Sequence, residues 1–335
     1  MINEPIISSV SLNGFRCHEK YFLELKKDTT LILGENGCGK TSVLEAIYIA
    51  LQGKSFRAVD REIIKRGADF YRVELLRTDG EKIVVVFDGA KKTFLVKDKK
   101  TARLPVKEKY PIILFLPEDL HLVASSPTRK REYFDRVLTQ LNNKYNTSLS
   151  RYNKALKQRN EILKQENITL EMLFSWNILL AKYGVEIRNL RKQLVDKIND
   201  SLTDTYRSIA ENEDDVKLEF RSYTANVSES DYLKLLNMDF ERDRLTGHTN
   251  FGVHKDNYDF IFNGSVADGS ASRGEVRSMI LALKFIEAAE IFKTLNKKPV
   301  VLLDDVFSEL DENRQKSLVK NFKEHQVILT SVDGV

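Results

Sequence analysis

The apolar residues in the first third of the chain fall into short runs and alternations that are typical of β-strands. Ile6–Leu12 is rich in β-forming residues, and Leu31–Leu33 is an apolar run that ends in a glycine-rich turn. Val43–Leu51 then carries apolar residues at helical spacing. Turn signals at Asp79-Gly80 and Asp88-Gly89 separate further strand-like stretches. The pattern predicts a strand, a loop and a helix, followed by more strands.

The middle of the chain has a different pattern, in which apolar residues recur at helical spacing over a long distance. Between Arg129 and Ala210 there is no proline, and Gly184 is the single glycine. The segment Lys164–Thr169 interrupts the periodicity. We therefore predict two long helices that fold into an antiparallel hairpin. A helix of about 35 residues would span roughly 50 Å.

The last third returns to short apolar runs with one long helical stretch. Lys217–Tyr223 and Tyr258–Phe262 are strand-like, and Ser272–Leu295 has helical spacing. Pro299–Leu303 reads as a buried strand, and Val327–Thr330 as a final one. Strands and helices thus alternate at both ends of the chain, which predicts an α/β fold.

Composition narrows the possible classes without identifying a function. The chain has 335 residues, of which 42% are hydrophobic and 30% charged, with a net charge of +4. These values are typical of a globular protein with a sizeable core. The two cysteines, Cys17 and Cys38, form no metal-binding or disulfide pattern, so we expect a reducing cytoplasm. We expect no membrane helix and no signal peptide, because the apolar runs are short.

The glycine-rich turn after the strand at Leu31–Leu33 is the strongest chemical signal. Gly34–Thr41 matches the phosphate-loop pattern of a glycine, four variable residues, a second glycine, a lysine and a hydroxyl residue. A random chain of this length shows that pattern about once in a hundred. The residues predicted to bind nucleotide are Gly34, Glu35, Asn36, Gly37, Cys38, Gly39, Lys40, Thr41 and Ser42.

Each part of this loop has a physical task in binding a nucleoside triphosphate. Glycines let backbone N–H groups approach phosphate oxygens, and the following helix contributes its N-terminus. Lys40 supplies a positive charge to the β- and γ-phosphates, which makes it a catalytic residue, and the Thr41 hydroxyl is a ligand for Mg²⁺. The sequence therefore predicts ATP and Mg²⁺ as cofactors.

Two acidic residues follow the apolar run near the C-terminal end. Asp304 and Asp305 come directly after Val300–Leu303. Taken alone, this is a strand that ends in an acidic turn. Beside a phosphate loop, Asp304 is expected on the Mg²⁺ side, and Asp305 is expected to act as the catalytic base that activates water.

A serine opens the helix that precedes this acidic strand. Ser272, Arg273, Gly274 and Glu275 admit a plain interpretation, in which the serine caps the helix. The segment also resembles the signature motif of ABC-type ATPases, and Ser308–Asp311 resembles the loop that follows their acidic strand. The resemblance implies that the signature residues meet a nucleotide bound to a second copy of the chain, and that Asp311 belongs to the same interface.

Several blocks, in order over nearly the whole chain, resemble the RecF family of recombination mediator ATPases. They include Lys54–Arg57, Leu114–Leu120, Gly252–Asn257 and Leu303–Asp311. The chain departs from the usual family residues at a few positions, namely Cys38, Phe56, Lys255 and Asn257. Cys38 is either a passive small residue or an oxidisable thiol, and His254 is either a site residue or a packed one.

The resemblance implies a fold and a division into domains. The expected fold is an ABC-type ATPase head of mixed β-sheets and helices, with an inserted α-helical hairpin arm. Residues 1–125 and 240–335 would form the head, and residues 126–239 the arm. No histidine follows the last strand, so Thr330 or Ser331 would serve as the polar switch residue.

The resemblance also implies a function. A weak ATPase would dimerise on ATP, bind duplex or gapped DNA in the cytoplasm near the nucleoid, and help RecR and RecO to load RecA. DNA contacts are expected from Arg57, Arg61, Lys65, Arg66, Arg129, Lys130 and Arg131. Residues 129–164 contain ten basic and three acidic residues, although such runs are usually solvated faces.

Three other functions fit parts of the sequence. An SMC- or Rad50-like chromosome-maintenance ATPase shares the head but has a far longer arm. The ATPase subunit of a membrane transporter usually has a switch histidine and needs a membrane partner. A simple phosphate-loop kinase needs no signature motif and should not dimerise on ATP.

Overall fold

The computed structural model describes residues 7–332. The chain forms two compact units, which we call unit 1 and unit 2. Unit 1 contains the residues up to Leu120 and those from Glu287 onward, and unit 2 contains His121–Ile286. The division of the chain into a head and an arm at residues 126 and 240 stays a prediction. The compact units have other bounds, since residues 240–286 belong to unit 2 together with the long helices.

Strands and helices alternate along the chain. The strands are β1 Ile7–Phe15, β2 His18–Glu24, β3 Thr29–Leu33, β4 Tyr71–Arg77, β5 Lys82–Phe87, β6 Lys92–Val96, β7 Lys99–Thr101, β8 Ile112–Phe115, β9 Val216–Arg221, β10 Asn257–Phe262, β11 Ser265–Val266, β12 Val300–Asp304 and β13 Val327–Ser331. The helices are α1 Lys40–Gln52, α2 Asp60–Ile63, α3 Pro127–Leu141, α4 Asn143–Ile162, α5 Leu170–Asn199, α6 Leu202–Ala210, α7 Glu229–Met238, α8 Phe240–Thr246, α9 Ala267–Ser270, α10 Arg273–Leu295 and α11 Glu312–Phe322.

Unit 1 contains an antiparallel sheet in the order β2-β1-β4-β5-β6-β7. Its strands alternate between buried and outward positions, as in β1, where Val10 and Leu12 are buried and Ser9 and Ser11 are less so. This alternation is what the strand pattern in the sequence requires. The predicted strand that began at Ile6 is confirmed from Ile7 onward, and Ile6 itself lies outside the described residues.

Unit 1 also contains a parallel sheet in the order β3-β13-β12-β8. Strands β12 and β13 are buried along their whole length, which explains their continuous apolar runs. Because the strands are parallel, the ends of β3, β12 and β13 lie at one edge. The register pairs Asp304 with Thr330 and Ser331 with Leu33. That edge holds the phosphate loop and both predicted acids.

Helix α1 is the central packing element of unit 1. It contacts strands of the antiparallel sheet and of the parallel sheet, and nearly all its side chains are buried. A helix that is apolar on most of its faces can be stable only in such a position. It ends at Gly53, whose φ of 83° gives the left-handed cap that glycine adopts readily.

Unit 2 contains the predicted helical hairpin, formed by α4 and α5. The prediction of two unbroken helices was wrong in detail. The first helical stretch is divided at Asn142, which has extended backbone angles and caps α4 by accepting from the N–H groups of Lys144 and Tyr145. The second ends at Asn199 and restarts at Leu202. Asparagine is favoured at such caps because its side chain replaces missing helix hydrogen bonds.

A small sheet in the order β11-β10-β9 completes unit 2. Strands β9 and β10 confirm the two strand-like stretches seen in the sequence. Phe134 of α3 stacks on Tyr258 of β10 with ring centroids 4.0 Å apart. Unit 2 is therefore a mixed structure of helices and strands.

Candidate functional site

The phosphate loop connects β3 to α1 in unit 1. Gly37 and Gly39 have φ values of 83° and 101°, a region that side-chain-bearing residues rarely adopt. Gly39 has a second constraint, because a Cβ there would lie 2.3 Å from Cys17 Sγ and 2.4 Å from His18 Nε2. Glycine is thus required at position 39 by both backbone angle and space.

Lys40 folds back over this loop. Its Nζ donates to the carbonyl oxygens of Gly34 at 2.7 Å and Glu35 at 3.2 Å, and the residue is 5% exposed. The N–H groups of Ser42 and Val43 donate to Gly39 O and begin the helix. The loop therefore combines an ammonium group and a helix N-terminus at one point, which is the arrangement that binds phosphate.

Thr41 and Asp304 meet although they are 263 residues apart in sequence. Thr41 Oγ1 donates to Asp304 Oδ1 at 2.8 Å. A hydroxyl and a carboxylate oxygen are the hard ligands that Mg²⁺ prefers, and Mg²⁺ commonly takes only one or two protein ligands beside phosphate. These two residues fit the predicted ion. Among residues 7–332, no group of three or more His, Cys, Asp or Glu side chains is placed to hold a metal.

Thr330 links the two acids. Its Oγ1 donates to Asp304 Oδ1 at 3.0 Å and accepts from the backbone N–H of Asp305 at 2.9 Å. Asp305 has a φ of 49°, a left-handed conformation that costs free energy for a residue with a side chain. Thr330 therefore helps to hold Asp305 in this conformation. Ser331 is buried beside Leu33 and has no such contact with the acids.

The environment of Asp304 favours its protonated form more than water does. Burial raises the pKa of Asp304, and the nearby charge of Asp305 raises it further. Hydrogen bonds from Thr41 and Thr330 and the positive charge of Arg57 oppose this rise. A bound cation would add to these opposing influences, since positive charge favours a carboxylate.

A buried ionic cluster lies directly behind the loop, and we call it the Glu45 cluster. It consists of Glu45, Arg16, Arg57 and Ser55. Glu45 accepts two hydrogen bonds from each arginine and one from Ser55 Oγ, at 2.6–3.0 Å. Burial alone would raise the pKa of Glu45, but these hydrogen bonds outweigh it and hold the pKa below its usual value.

The Glu45 cluster places Arg57 beside the phosphate loop. Arg57 Nη2 lies 3.4 Å from Ser42 Oγ. Sequence reasoning missed Glu45 and Arg16. A usable signal was present, because Glu45 is the one charged residue within the apolar stretch Val43–Leu51.

The signature segment lies in unit 2 at the start of α10. Ser272 N–H donates to Glu275 Oε2 at 2.6 Å, and Glu275 N–H donates to Ser272 Oγ at 3.3 Å. This reciprocal pair is a capping box, so the plain helix-cap interpretation is correct. Ser272 and Arg273 are exposed, and Gly274 is half-buried. A capping role leaves the serine hydroxyl able to donate to a further acceptor.

Asp311 caps α11 in unit 1. Its side chain accepts from the backbone N–H of Arg314 and pairs with the Arg314 guanidinium. Burial alone would raise the pKa of Asp311, but the hydrogen bonds and charge of Arg314 hold it below its usual value. The loop before it is held by Ser308 Oγ, which donates to Asp305 O at 2.9 Å.

The predicted DNA-binding residues fall into two groups in the structure. Five have a partner within their own unit: Arg57 pairs with Glu45, Arg61 donates to Gly89 O, Lys65 donates to Cys17 O, Lys130 is buried beside Asp259, and Arg131 donates to Asp256 O. Burial lowers the pKa of Lys130. Arg61 and Arg66 are exposed, and Arg129 is half-buried. The basic run 129–164 is not one exposed surface, because Arg159 in it is fully buried against Asp243.

His254 lies inside unit 2 rather than at an open site. Its Nε2 is 3.0 Å from Thr249 O and its Nδ1 is 2.8 Å from the Tyr152 hydroxyl. A carbonyl can only accept, so Nε2 carries the proton and Nδ1 accepts from Tyr152. Burial lowers the pKa of His254 to about 4. The neutral ring is therefore part of the packing of this unit.

A second buried ionic cluster lies near His254, and we call it the Arg191 cluster. It consists of Arg191, Asp135, Asp256 and Tyr145. Arg191 donates to both carboxylates, to the Tyr145 hydroxyl and to Val253 O. Burial raises the pKa of Asp256, while Arg191 and Ser222 oppose the rise. Val253 and Asp256 belong to the block Gly252–Asn257, so part of the sequence pattern of this block is explained by its packing around Arg191.

Comparisons with known proteins identify a protein family and relatives with similar sequences. The AAA ATPase domain family matches residues 6–331. The chain is 31% identical over 334 residues to the DNA replication and repair protein RecF of Clostridium perfringens, covering 97% of this chain and 92% of that protein. It is 32% identical over 332 residues to the protein of the same name from Clostridium novyi, with the same coverage.

Solved structures show the same likeness. The recombination mediator protein RecF with ATP, from the RecFOR pathway, superposes with a TM-score of 0.89 at 26% identity and covers 98% of this chain and 92% of that one. An SMC head bound to the C-terminal winged-helix domain of ScpA superposes with a TM-score of 0.54 at 15% identity, covering 98% of this chain and 90% of that one, which shows a shared fold. Among residues 7–332, no helix is long and apolar enough to cross a membrane.

Proposed function

The chain belongs to the family of RecF DNA replication and repair proteins, and from this premise we propose that it is a weak ATPase whose hydrolysis works as a switch. The observation that carries the proposal is the contact between Thr41 and Asp304 beside Lys40. It joins the phosphate loop and the acidic strand into one site. That combination supports phosphoryl transfer from ATP to water.

The residues of unit 1 divide the work of hydrolysis. The loop N–H groups and Lys40 bind the phosphates, and Thr41 with Asp304 would hold Mg²⁺, which neutralises phosphate charge when bound. Asp305 accepts the proton of the attacking water. Thr330 keeps Asp304 and Asp305 in position and is the switch residue, whereas Ser331 supports the strand end.

A direct test compares ATP turnover of Lys40→Arg, Asp305→Asn and Thr330→Val with that of Ser331→Ala. We expect the first two to lower kcat by about 10²- to 10³-fold, the usual cost of removing one stabilising group from a transition state. Thr330→Val should lower kcat more than it raises the KM for ATP. Equal turnover in Asp305→Asn and the unchanged protein would contradict the role of Asp305.

The same site supports an ATP-dependent homodimer. Ser272, Arg273, Gly274 and Glu275 of one copy would contact the nucleotide bound to the other, and Asp311 would lie at the same interface. The exposed position of the Ser272 hydroxyl at a helix N-terminus supports this role. ATP would then shift the population toward the dimer, and hydrolysis would release it.

Size-exclusion chromatography with and without ATP tests the dimer. We expect Asp305→Asn to remain dimeric with ATP, because it binds but does not hydrolyse the nucleotide. Ser272→Ala should stay monomeric under the same conditions while it still binds ATP. A monomer in both states of the unchanged protein would refute the dimer and would favour a kinase-like activity.

For the DNA side, we propose binding to duplex or gapped DNA in the cytoplasm near the nucleoid. Arg61 and Arg66 are the first candidates, because their side chains are exposed, and Arg129 stays among the predicted contacts. RecR is the proposed partner, with RecO and RecA downstream. Such binding should depend on ATP, fall steeply with salt and show little sequence preference.

Fluorescence anisotropy with labelled duplex and gapped DNA, over a range of salt, checks this proposal. Arg66→Gln should reduce the slope of the logarithm of the binding constant against the logarithm of the salt concentration by about one, which corresponds to one released counterion. The matched control is Arg244→Gln, an exposed arginine that pairs with Glu241 on α8 and is not a predicted contact. If the unchanged protein binds no DNA, or binds it equally with and without ATP, the mediator function is refuted; Lys40→Arg should show a weaker response to ATP.

An SMC- or Rad50-like role is the alternative. The hairpin here is short, since α4 has 20 residues and α5 has 30, and this does not favour a long coiled-coil arm. A transporter subunit is the weaker alternative, because Thr330 stands where such proteins usually carry a histidine.

A further inference from the structure

The two cysteines of the chain converge on the phosphate loop. Cys17 lies in the turn between β1 and β2, and Cys38 lies within the loop, 21 residues further on. Both are exposed and neither forms a disulfide in the structure. A chain of 335 residues with two cysteines therefore brings both thiols to its nucleotide site.

The sulfur of Cys17 packs against the backbone of the loop. Cys17 Sγ lies 3.7 Å from the carbonyl oxygen of Cys38. It also occupies the space where a Cβ on Gly39 would lie, at 2.3 Å. The Cys17 sulfur thus contacts the peptide unit between Cys38 and Gly39.

The hairpin formed by β1 and β2 also contacts the loop at Gly39. His18 Nε2 lies 3.1 Å from Gly39 O, and Tyr21 in β2 packs against the His18 ring with ring centroids 4.7 Å apart. Cys17 and His18 of the hairpin therefore contact the loop backbone at Cys38 and Gly39.

We propose that Cys17 and Cys38 form a reversible disulfide when the protein meets a hydroperoxide, and that this bond closes the nucleotide site. The first thiolate attacks one oxygen of the hydroperoxide, the O–O bond breaks and the cysteine becomes a sulfenic acid. The other oxygen leaves as hydroxide or alkoxide and takes the proton that the thiol released, forming water or an alcohol. The second thiolate then attacks the sulfenic sulfur and expels hydroxide, which takes a proton to form water. Two electrons pass from the thiols to the peroxide.

The geometry explains why this bond would stop ATP binding. Cys38 Sγ points toward Gly34, because a Cβ built on Gly34 would lie 2.6 Å from it. To reach Cys17, residue 38 must turn, since a disulfide requires Cα atoms about 4.4–6.8 Å apart and a fixed torsion. Turning Cys38 redirects the N–H groups on either side of it. Those groups are part of the phosphate cradle, so the loop can no longer bind the nucleotide.

The inference rests on the proposed nucleotide site, and one experiment separates the two. The full chain is reduced, treated with hydrogen peroxide and divided for three measurements. Free thiols are titrated under denaturing conditions, intact mass is recorded, and binding of a fluorescent ATP analogue is measured before and after dithiothreitol. The matched variant is Cys17→Ser, which keeps Cys38 in the loop. The serine hydroxyl is smaller than the thiol and fits into the space that the thiol occupies.

We expect the oxidised protein to lose both thiols and the mass of two hydrogen atoms while remaining monomeric on a non-reducing gel. Its affinity for the ATP analogue should fall by at least about tenfold, because the loop geometry is altered, and dithiothreitol should restore it. Peroxide-treated Cys17→Ser should keep its affinity, because it cannot form the bond.

Three results would overturn the proposal. They are two free thiols after treatment, a disulfide with unchanged ATP affinity, and an equal loss of affinity in Cys17→Ser, which would show that oxidation of Cys38 alone is sufficient. If the reduced protein fails to bind the ATP analogue at all, the proposed function itself is refuted.

Discussion

The two units each contain a buried ionic cluster, and the two clusters are built with opposite charge. In unit 1 a carboxylate, Glu45, is held by Arg16 and Arg57. In unit 2 a guanidinium, Arg191, is held by Asp135 and Asp256. Both central groups are almost completely removed from water. Their partners differ in how far they reach the surface.

The partners of Glu45 are more exposed to solvent than the partners of Arg191. We therefore expect the side chains of the Glu45 cluster to rearrange more easily than those of the Arg191 cluster. The side chains of Arg16 and Arg57 are 22% and 36% exposed, whereas those of Asp135 and Asp256 are 19% and 0% exposed. An arginine near water can leave its partner at modest cost, since water replaces the lost hydrogen bonds. A fully buried carboxylate cannot, because its charge would remain unpaired in a low dielectric.

The position of each cluster agrees with this difference. The Glu45 cluster adjoins Ser42 in the first turn of α1, directly after the phosphate loop. The Arg191 cluster joins α3, α5 and the loop before β10 and lies among packed aromatic side chains. We expect the first to affect function more than stability and the second to affect stability more than function.

The largest effect should follow from removing the central arginine of unit 2. Arg191→Met leaves Asp256 and Asp135 without their cation, and we expect the free energy of unfolding to fall by about 3–5 kcal/mol. Fluorescence of Trp176, the single tryptophan and part of α5, reports urea unfolding of this unit. The control is Arg151→Met, an exposed arginine on the same hairpin, which should cost far less. A similar midpoint for both variants would disprove the distinction.

Acid should weaken unit 2 through His254. Its pKa is about 4 in the fold and about 6.5 in an unfolded chain, so the unfolded state binds the proton more tightly. The contribution of neutral His254 to the free energy of unfolding is fully present above about pH 6.5. It is lost as the pH falls toward 4, by about 3 kcal/mol in total. Nearby Lys255 and Arg131 act in the same direction as burial, and Asp243 opposes them.

Urea midpoints of the unchanged protein and of His254→Gln, measured between pH 4 and pH 7.5, isolate this contribution. The difference between the two should shrink or reverse as the pH falls, because glutamine does not titrate. His248→Gln, at an exposed position, serves as the control and should follow the unchanged protein. Parallel pH profiles for all three would show that His254 is not the responsible group.

Substituting Glu45, the centre of the Glu45 cluster, should cause a smaller loss of stability and a clear change in ATP affinity. Glu45→Gln removes the charge that holds Arg16 and Arg57, and we expect about 1–2 kcal/mol of destabilisation, since both arginines can be hydrated. The free energy of ATP binding should change by more than the free energy of unfolding, because Arg57 adjoins Ser42. Glu62→Gln is the control, as Arg16 contacts only the backbone oxygen of Glu62. Unaltered ATP affinity would place the cluster with the purely structural one.

The smallest effect should come from Arg57→Lys. A lysine keeps the charge but loses the two-pronged hydrogen bonding to Glu45. Since Arg57 is partly exposed, we expect the change in stability to stay below about 1 kcal/mol. Thermal unfolding followed by circular dichroism measures it. A loss as large as that of Arg191→Met would remove the contrast between the clusters.

Much of the nucleotide site could be predicted because its residues lie in short, contiguous motifs. Gly34–Thr41 and Val300–Asp305 each carry their signal within a few residues, and the strand and helix around them follow from periodicity. The helical hairpin was predicted for the same reason. Its break at Asn142 was not, since one asparagine in a polar helix is a weak local signal that depends on its cap geometry.

The DNA-binding candidates show where local patterns are insufficient. Arg57, Lys130 and Arg159 belong to basic stretches, yet each is paired with an acid from elsewhere in its unit. Their partners Glu45, Asp259 and Asp243 lie 12, 129 and 84 residues away along the chain. Charge counted along the sequence cannot distinguish such a pair from a cation that faces solvent.

The sequence by itself determined the phosphate loop, the acidic strand and the order of strands and helices, because backbone preferences and apolar spacing act over a few residues. Only the tertiary structure decided that Thr330 joins Asp304 and Asp305, that Glu45 holds two arginines behind the loop, and that Cys17 rests on the loop beside Cys38. These contacts depend on which strands become neighbours. That choice is made by burial of the whole core, which no short stretch of sequence contains.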